Sequence, residues 1–588
     1  MKPSKSKPSV SNQNVRTRTA VNRRDFIRFL GYSTAALPLG GLGLASASLI
    51  SGCTTTGTNP SLNAAAKGQP LNSAKLPFQP LGAVSEDQLS LIDGMDFRVL
   101  VKWNDVINSR GAKFGINNDF NAFIPNEGPD EGFLCVNHEY PSPVLQYAIA
   151  PEAYRNRSDI EKTKEQIRIE QQSVGVSILK VRQRRDLSEA DGGHWYVVQN
   201  SSHNRRIDAL TPIPFANNVK IGGSKTAIGT LSNCAGGVTP WGTYLSCEEN
   251  YDQFWGEVDY EKGNGRIYPN EAWGWWKKVE ANPEHYGWVV EINPKTGAAK
   301  KLTALGRFAH ESATVVPLPD GRCVVYSGDD TADRCLYKFI ADRPGSLETG
   351  RLYVANLDTG TWVPLIWEDS ALLKKHFSSQ LEVLIRAREA SLLVGGTKLD
   401  RPEDVERDPN TGAIIVALTN NKKKGNIYGS LLKIVEENNS PASLRFTHST
   451  LLLGGPTTGV SCPDNMAFDP AGNLWLTTDM GGRDMNKGHY EGFGNNALFV
   501  VPKAGPLAGS ALKVVSAPTD AELTGPWFAP DGKTLFLSVQ HPGEESRPGQ
   551  YTSHWPLGGD SLPHSAVVTI RGPMLEEITS GRAFASKS

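Results

Sequence analysis

An excess of charge of either sign is missing from this chain: 61 Lys and Arg stand against 62 Asp and Glu, a net charge of −1 at pH 7. A nucleic-acid partner would call for a basic stripe or patch, and the balance leaves no such electrostatic footprint. Charged residues are also sparse, at 21%, while glycine (58) and proline (38) are plentiful. That composition points to a turn-rich β protein rather than to disorder. Cysteine is scarce, seven in 588 residues, so each thiol has to be weighed separately.

The N-terminus is read first because it is not part of the fold. Residues 1–28 are basic and run into "NRRDFIRFLG" (22–31); an apolar stretch rich in Gly, Ala and Ser follows, closed by "LISGC". This is the pattern of a secretory leader. A retained membrane anchor is the alternative, and the glycines and small residues argue against a stable span. Arg23-Arg24, followed by Asp25-Phe26-Ile27, resembles a twin-arginine signal, with Asn22 where Ser or Thr is commoner. Ile50-Ser51-Gly52-Cys53 resembles a lipobox, in which Cys53 carries lipid after cleavage. The chain accordingly divides into a signal peptide (1–52), a flexible tether (53–75), a folded domain (76–575) and a C-terminal tail (576–588). The twin-arginine translocase is the expected export partner. The expected location is periplasmic or cell-surface, with membrane attachment through the lipid on Cys53, and the expected state is a monomer.

Within the folded domain a single grammar recurs: Pro or Asp, a short turn with Gly, then alternating apolar residues. "LPDGRCVVYSGDD" (318–330), "DPNTGAIIVALTNN" (408–421), "DPAGNLWLTTD" (469–479) and "APDGKTLFLSVQHPGE" (529–544) are the clearest cases. Asp-Gly and Gly-Asn turns between period-2 strands are hairpin signals, and their irregular recurrence over hundreds of residues suggests propeller blades. Two insertions read as helical, "SDIEKTKEQIRIEQQS" (158–173) and "SALLKKHFSSQLEVLIRAREA" (370–390). The expected architecture is therefore all-β, a six-bladed β-propeller with helical and loop insertions on one face; two stacked β domains is the alternative.

Acids collect just after the strands: "VNHEY" (136–140), "SCEEN" (246–250), "FAHES" (308–312), "SGDDTAD" (327–333), "DRPEDVE" (400–406), "CPDNMAFD" (462–469) and "TTDM" (477–480). Most acids in any chain simply face water. Doublets beside apolar strands, however, repel one another if buried without cations. In a propeller such strand ends converge on the central channel, where oxygen-rich clusters suit calcium and a thiolate among carboxylates suits a transition metal such as iron. Lipidation of Cys53 leaves six cysteines. Cys135, Cys247, Cys323 and Cys462 sit in apolar or strand-like context as core thiols, with a Cys323–Cys335 disulfide left open. Cys234 differs, because it precedes Ala-Gly-Gly, where the backbone can turn sharply and approach a ligand closely.

Taken together, "NCAGGVTPWGTYLSCEEN", "GRFAHESA", "VVYSGDD", "LYKFI", "RPEDVE", "FDPAGNLWLTTD" and "TGPWFAPDGKTLFLSVQHPGE" resemble, in order, the motifs of the PhoX family of bacterial alkaline phosphatases. The resemblance spans roughly residues 75–572. It implies a six-bladed propeller whose axial site holds two ferric ions (Fe3+) bridged by an oxo group, together with two or three calcium ions (Ca2+). A metal-activated oxygen nucleophile would hydrolyse small-molecule phosphate monoesters. Carried over by motif, Cys234 matches the iron-binding cysteine, Glu311 and Glu403 match metal-binding glutamates, and Arg401 matches the arginine that grips phosphate. Glu139, Glu248, Glu249, Asp464 and Asp479 look like further metal ligands, and His541 is a rim candidate. Lys225 is a candidate phosphate contact because it precedes Cys234 by a short strand, and an exposed lysine is the plain alternative. Asn250 and Asn233 are candidate oxygen donors.

Three positions depart from the family pattern: Ser430 where a histidine is common, and Ser312 and Asn465 where glycine is common. They flank the expected site. Pro402 is expected to hold the backbone extended, so that Arg401 and Glu403 project from one rigid segment; pairing of Arg401 with Asp400 or Asp404 is the structural alternative. A calcium-dependent propeller lactonase or esterase using the same acids, and a non-catalytic lipid-anchored propeller, stay open as other readings.

Overall fold

The structure, a computed structural model, describes residues 76–150, 162–184, 193–260, 265–267 and 273–585. The twin-arginine motif, Cys53 and the tether lie outside these residues. Among the described residues no helix is long and apolar enough to cross a membrane.

Six antiparallel sheets form six blades. Their innermost strands are Asn118–Pro125, Asn233–Val238, Thr314–Pro317, Pro402–Arg407, Pro463–Phe468 and Glu522–Phe528, in blades 1 to 6. Each lies beside the next, and the sixth returns to the first, so the ring closes. The ends of the chain seal it: Asp96–Lys102 pairs with Ala566–Arg571 as the outermost strand of blade 6, and Ser90–Leu91 adds an edge to blade 5.

The recurrent turns occupy one structural position. They link the first and second strands of blades 3, 4, 5 and 6 at 318–322, 408–413, 469–473 and 529–534. In each, the glycine donates back to the residue three or four before it: Gly321 to Leu318, Gly412 to Asp408, Gly472 to Asp469 and Gly532 to Ala529. All four glycines have φ between 64° and 84°, a conformation that a side chain would strain. Since every such turn lies on one face, the starts of the inner strands and the ends of the second strands gather on the other.

The insertions lie at the ends of these strands. Lys164–Ser173 is a helix opened by a capping box, in which Thr163 accepts from the Gln166 N–H and the Gln166 side chain accepts from the Thr163 N–H. The apolar stretch 370–390 is not one helix but the start of three, Ala371–His376, Gln380–Ile385 and Ala387–Leu393. Ser370 opens the run and Ser379 breaks it, accepting from the N–H groups of Leu373 and Glu382 as N-caps. Leu373, Val383, Ala387 and Ala390 pack with Leu305, Phe308, Phe339 and Leu352 of blades 2 and 3, each large apolar side chain contributing about 1.5–3 kcal/mol on burial. Between blade 2's second and third strands, Trp255, Trp273 and Trp275 pack in one buried cluster with Tyr251, Phe254 and Tyr286.

One expected boundary needs correction. The tail does not begin at 576, because Pro573–Thr579 is a helix whose Leu575 and Ile578, with Phe584, are buried against Phe78 and Trp475. Three apolar residues at helical and near-helical spacing bind it to the core. The pairing left open between Cys323 and Cys335 is not formed, and both are buried free thiols, as the core-thiol reading of Cys323 has it.

Candidate metal centre

One acid or thiol marks the start of each inner strand on the gathered face. Asp119, Cys234, Glu403, Asp464 and Glu522 are first or second residues of their strands, and Glu311 lies three residues ahead of Thr314. A second tier follows the second strands by one or two residues: Glu139 after His138, Glu249 after Glu248, Asp330 after Gly328, Asp479 after Thr478 and His541 after Gln540. Blade 4 places Thr419 and Asn420 there instead.

The backbone aims these side chains. In blades 1, 2, 4 and 5 the residue immediately before the inner strand is left-handed: Asn117 (φ 48°), Ser232 (φ 50°), Arg401 (φ 56°) and Cys462 (φ 53°). None is glycine, so each carries backbone strain of the kind that gathers at functional sites. Arg401 therefore does not sit on the extended backbone expected ahead of Pro402. The inner strand then bulges, with register shifts at Asn118/Asn121, Asn233/Gly236, Pro402/Val405, Pro463/Met466 and Thr524/Trp527. Such bulges re-aim side chains beside a site.

The cavity so formed measures about 180 Å3 and is lined by ten carboxyl groups against one guanidinium, Arg401, and one imidazole, His541. Cys234 Sγ lies 3.0 Å from Asp119 Oδ2 and 3.4 Å from Glu311 Oε1. Three triads have ligand atoms within 4.8 Å of one another: Asp119–Glu139–Cys234, Cys234–Glu249–Glu311 and Glu311–Glu403–Asp464. Cys234 and Glu311 each belong to two of them, so the triads run in series around the axis.

Burial and mutual repulsion dominate the electrostatics. Desolvation, followed by neighbouring carboxylates, pushes Glu139 up to about 8 and holds Glu249, Glu311 and Glu522 well above the ordinary carboxylate range. Burial raises Asp119 to about 6 and Asp464 to about 7. The Cys234 thiol is likewise pushed far up by burial and by Asp119 and Glu311. Asp479 is the exception: burial raises it, but a hydrogen bond with Glu522 and the charges of Arg401 and His541 leave it lowered overall. Buried acids this crowded stay ionised only if cations offset them. The donor set, one thiol among carboxylate oxygens on one side and oxygens alone on the other, fits metal ions.

Arg401 faces the same cavity, its side chain 27% exposed. Nε and one terminal nitrogen form a two-point contact with Asp330 at 2.9 and 2.8 Å, Glu403 lies at 2.7 Å and Asp479 at 3.6 Å. Its partners are therefore not Asp400 or Asp404. His541 Nε2 stands 3.3 Å from Glu522 Oε2.

Cys234, Glu311, Glu403, Glu139, Glu249, Asp464, Asp479, Asn250, Arg401 and His541 all line the cavity. Glu248 does not. Its carboxylate accepts from Lys301 Nζ at 2.6 Å and from the N–H groups of Gly287 and Trp288 at 3.0 Å, because adjacent residues at a strand end point to opposite sides. Lys225 is exposed beside the strands Pro212–Pro214 and Thr226–Ile228 and lines no part of the cavity. Asn233 spends its amide on Thr230 and Ser246, at 2.7 Å each. The Gly-Gly after Cys234 serves packing rather than a sharp turn. A Cβ on Gly237 would come within 2.0 Å of the Ala313 carbonyl in blade 3.

Sequence reasoning missed Asp119, Asp330 and Glu522. Asp330 lay within a noted doublet. The signal for all three is position, at the first or second residue of an inner strand or just past a second one. Of the departures, Ser430 lies away from the cavity at the start of Ser430–Glu436, and Ser312 is buried with its hydroxyl unpartnered. Asn465 is inserted between blades: its Nδ2 donates to Asp464 Oδ1 at 2.9 Å and its Oδ1 accepts from the Gly525 N–H at 2.7 Å.

Comparison with known proteins bears on this geometry. The family model described as alkaline phosphatase PhoX matches residues 76–543. Among solved structures, Pseudomonas fluorescens PhoX in complex with vanadate, a transition state analogue, is 28% identical, with a TM-score of 0.73 over 85% of this chain and 98% of that one. A Dyadobacter fermentans protein of unknown function (11% identity, TM-score 0.38, 82% and 100% covered) and a Xanthomonas campestris gluconolactonase (11%, 0.30, 84% and 98%) are likenesses too slight to bear on function. No curated protein matches the sequence.

Proposed function

This chain belongs to the alkaline phosphatase PhoX family and hydrolyses phosphate monoesters, and from that premise we propose that the axial ring is its catalytic metal centre. The observation that supports this most is the series of triads sharing Cys234 and Glu311. Cys234, with Asp119, Glu139, Glu249 and Glu311, would hold Fe3+, two ions in all. Glu311, Glu403 and Asp464 offer oxygen alone and would hold Ca2+, with Asp479 serving a further calcium among the two or three expected. Bound there, the cations supply charge neutralisation and Lewis-acid polarisation of the phosphate ester.

The chain's own residues do the rest. Arg401 brings to the cavity a planar guanidinium suited to phosphate oxygens, which would compete with Asp330 for its two-point fork. A cavity of about 180 Å3 admits a phosphoryl head, while a vestibule of about 400 Å3, sharing Glu139, Tyr140, Asn250, Gly481 and Glu544 with it, takes the organic portion. Among the described residues no serine or threonine lines the cavity, where the one hydroxyl side chain is the phenol of Tyr140. Export by the twin-arginine translocase, lipidation at Cys53 and a monomeric state in the periplasm or at the cell surface complete the proposal. Hydrolysis of an aryl phosphate by protein purified without chelator, with metals counted in the same sample, tests it. Full activity in protein stripped of every metal ion sinks the proposal.

A further inference from the structure

Three ring carboxylates are held in the same manner, and by neutral groups. Gln540 Nε2 donates to Glu139 Oε2 at 2.7 Å, Asn465 Nδ2 to Asp464 Oδ1 at 2.9 Å, and Asn250 Nδ2 to Glu249 Oε2 at 2.8 Å. An ammonium or guanidinium in these places would neutralise its carboxylate and compete with a cation for it. A carboxamide orients the carboxylate and leaves its charge in place.

Gln540 carries the inference furthest. It ends the strand Leu535–Gln540 of blade 6, lies opposite Glu522 in the ladder, and reaches across to Glu139 in blade 1. It is fully buried, and its own Oε1 accepts no hydrogen bond, a standing cost that an apolar side chain of the same length would not carry. Asn465 is equally constrained, since the Gly525 N–H fixes which end of its amide faces Asp464. Asn250 is tied through its backbone N–H to Ser232 Oγ at 2.9 Å.

We propose that Gln540, with Asn465 and Asn250, is a positioning residue that sets the cation affinity of the axial ring, each amide fixing one oxygen and hence the plane of its carboxylate. The inference rests on the reading of that ring as a metal centre, and it concerns binding rather than turnover. The competing role is a plain staple between blades, which would move stability and leave affinity alone.

Gln540→Met keeps length and apolar bulk and removes both amide atoms. Full-length protein stripped of metal is titrated with Ca2+ alone, then with Fe3+ against graded chelator. Occupancy is read by elemental analysis and the metal-free Tm is recorded alongside. The expected result is cation binding weakened by about tenfold or more, with the metal-free Tm equal to or above that of the parent. Asn250→Ala, at a half-buried position, gives an independent arm with the same sign and a smaller loss. Unchanged binding in both variants overturns the proposal, as does weakened binding matched in both by a fall in metal-free Tm. The parent is also assayed on an aryl phosphate. If it binds cations without hydrolysing the ester, the catalytic reading falls and this one stands; if it takes up no cation, both fall.

Discussion

Glu248 and Glu249 are neighbours in sequence, both fully or nearly fully buried, and their surroundings are opposite in character. Glu248 turns outward within blade 2 onto Lys301, an ion pair in which both side chains are 0% exposed, with the Lys301 ammonium also over the Tyr286 ring at 4.5 Å. Glu249 turns to the axis, where its neighbours are Glu139, Asp330, Glu311 and the Cys234 thiol, and burial, followed by the charges of Glu139 and Asp330, raises its pKa far. One region neutralises its acid with a residue of the chain, and the other leaves its acids to something from outside. A buried carboxylate with a built-in cation is structure, whereas a buried cluster without one is a site.

Cys234 should give the largest break between the two regions. Cys234→Ser should abolish or severely reduce iron retention and with it phosphatase activity, because an alcohol does not replace a thiolate ligand. The same change at Cys135, buried in blade 1 among Ala122, Ile178 and Tyr244, should leave metal content near the parent value. Elemental analysis of both variants decides this, and equal iron in the two would place Cys234 with the packing thiols.

The glutamate pair should separate along two axes. Glu248→Gln strands a buried lysine, and losing one partner of such a pair costs about 3–5 kcal/mol. A large fall in Tm with normal metal stoichiometry is the expected outcome. Glu249→Gln removes one of several crowded acids, so the metal-free protein should be as stable as the parent or more so while bound metal falls. Calcium chelation sharpens the same contrast, since stripping Ca2+ should remove activity with iron still bound, and re-addition should restore it. Magnesium should substitute poorly, because it demands a tighter octahedron. Thermal melts run with and without cations, elemental analysis and phosphatase assays check these in turn. A metal loss in Glu248→Gln as deep as in Glu249→Gln would erase the distinction between the two regions.

Much of this could be read from the sequence, for physical reasons. The Gly-containing turns were legible because left-handed backbone selects glycine, and Gly321, Gly412, Gly472 and Gly532 all occupy it. Acids in pairs, such as "EE" and "DD", advertise themselves by the repulsion their burial implies. Which member of a pair faces inward is set by strand parity, and that is fixed only once the ladder Asn233↔Glu248 is in place. Hence Glu248 was over-read. Asp119 in "NNDFNAF" and Glu522 in "AELTG" carry no such mark, because neither has an acid as its immediate neighbour. They join the ring through contacts made in the folded chain, Asp119 with Cys234 and Glu522 with Asp479 and His541. Lys225 illustrates the reverse error, in which closeness in sequence to Cys234 was read as closeness in space.

Arg401 tests the comparison at its finest, because it is the one guanidinium among the described residues that line the axial cavity. It does not play the role of Lys301. Lys301 has a single carboxylate partner and is sealed, while Arg401 is spread over Asp330, Glu403 and Asp479 and remains 27% exposed toward the cavity. Its left-handed backbone, strained for any residue but glycine, is maintained beside Pro402, so the side chain is aimed rather than merely accommodated. Arg401→Lys retains the charge and loses the fork. If the fork grips phosphate, kcat/KM on phosphate esters should fall by about tenfold or more, which corresponds to about 1.4 kcal/mol, and inorganic phosphate should inhibit less. A lysine can still lie against Asp330 and Glu403, so metal content and Tm should barely move. Steady-state kinetics with a phosphate inhibition series measures both effects. Unchanged kinetics with the metals in place would make Arg401 a second Lys301, a residue that balances charge and touches no substrate.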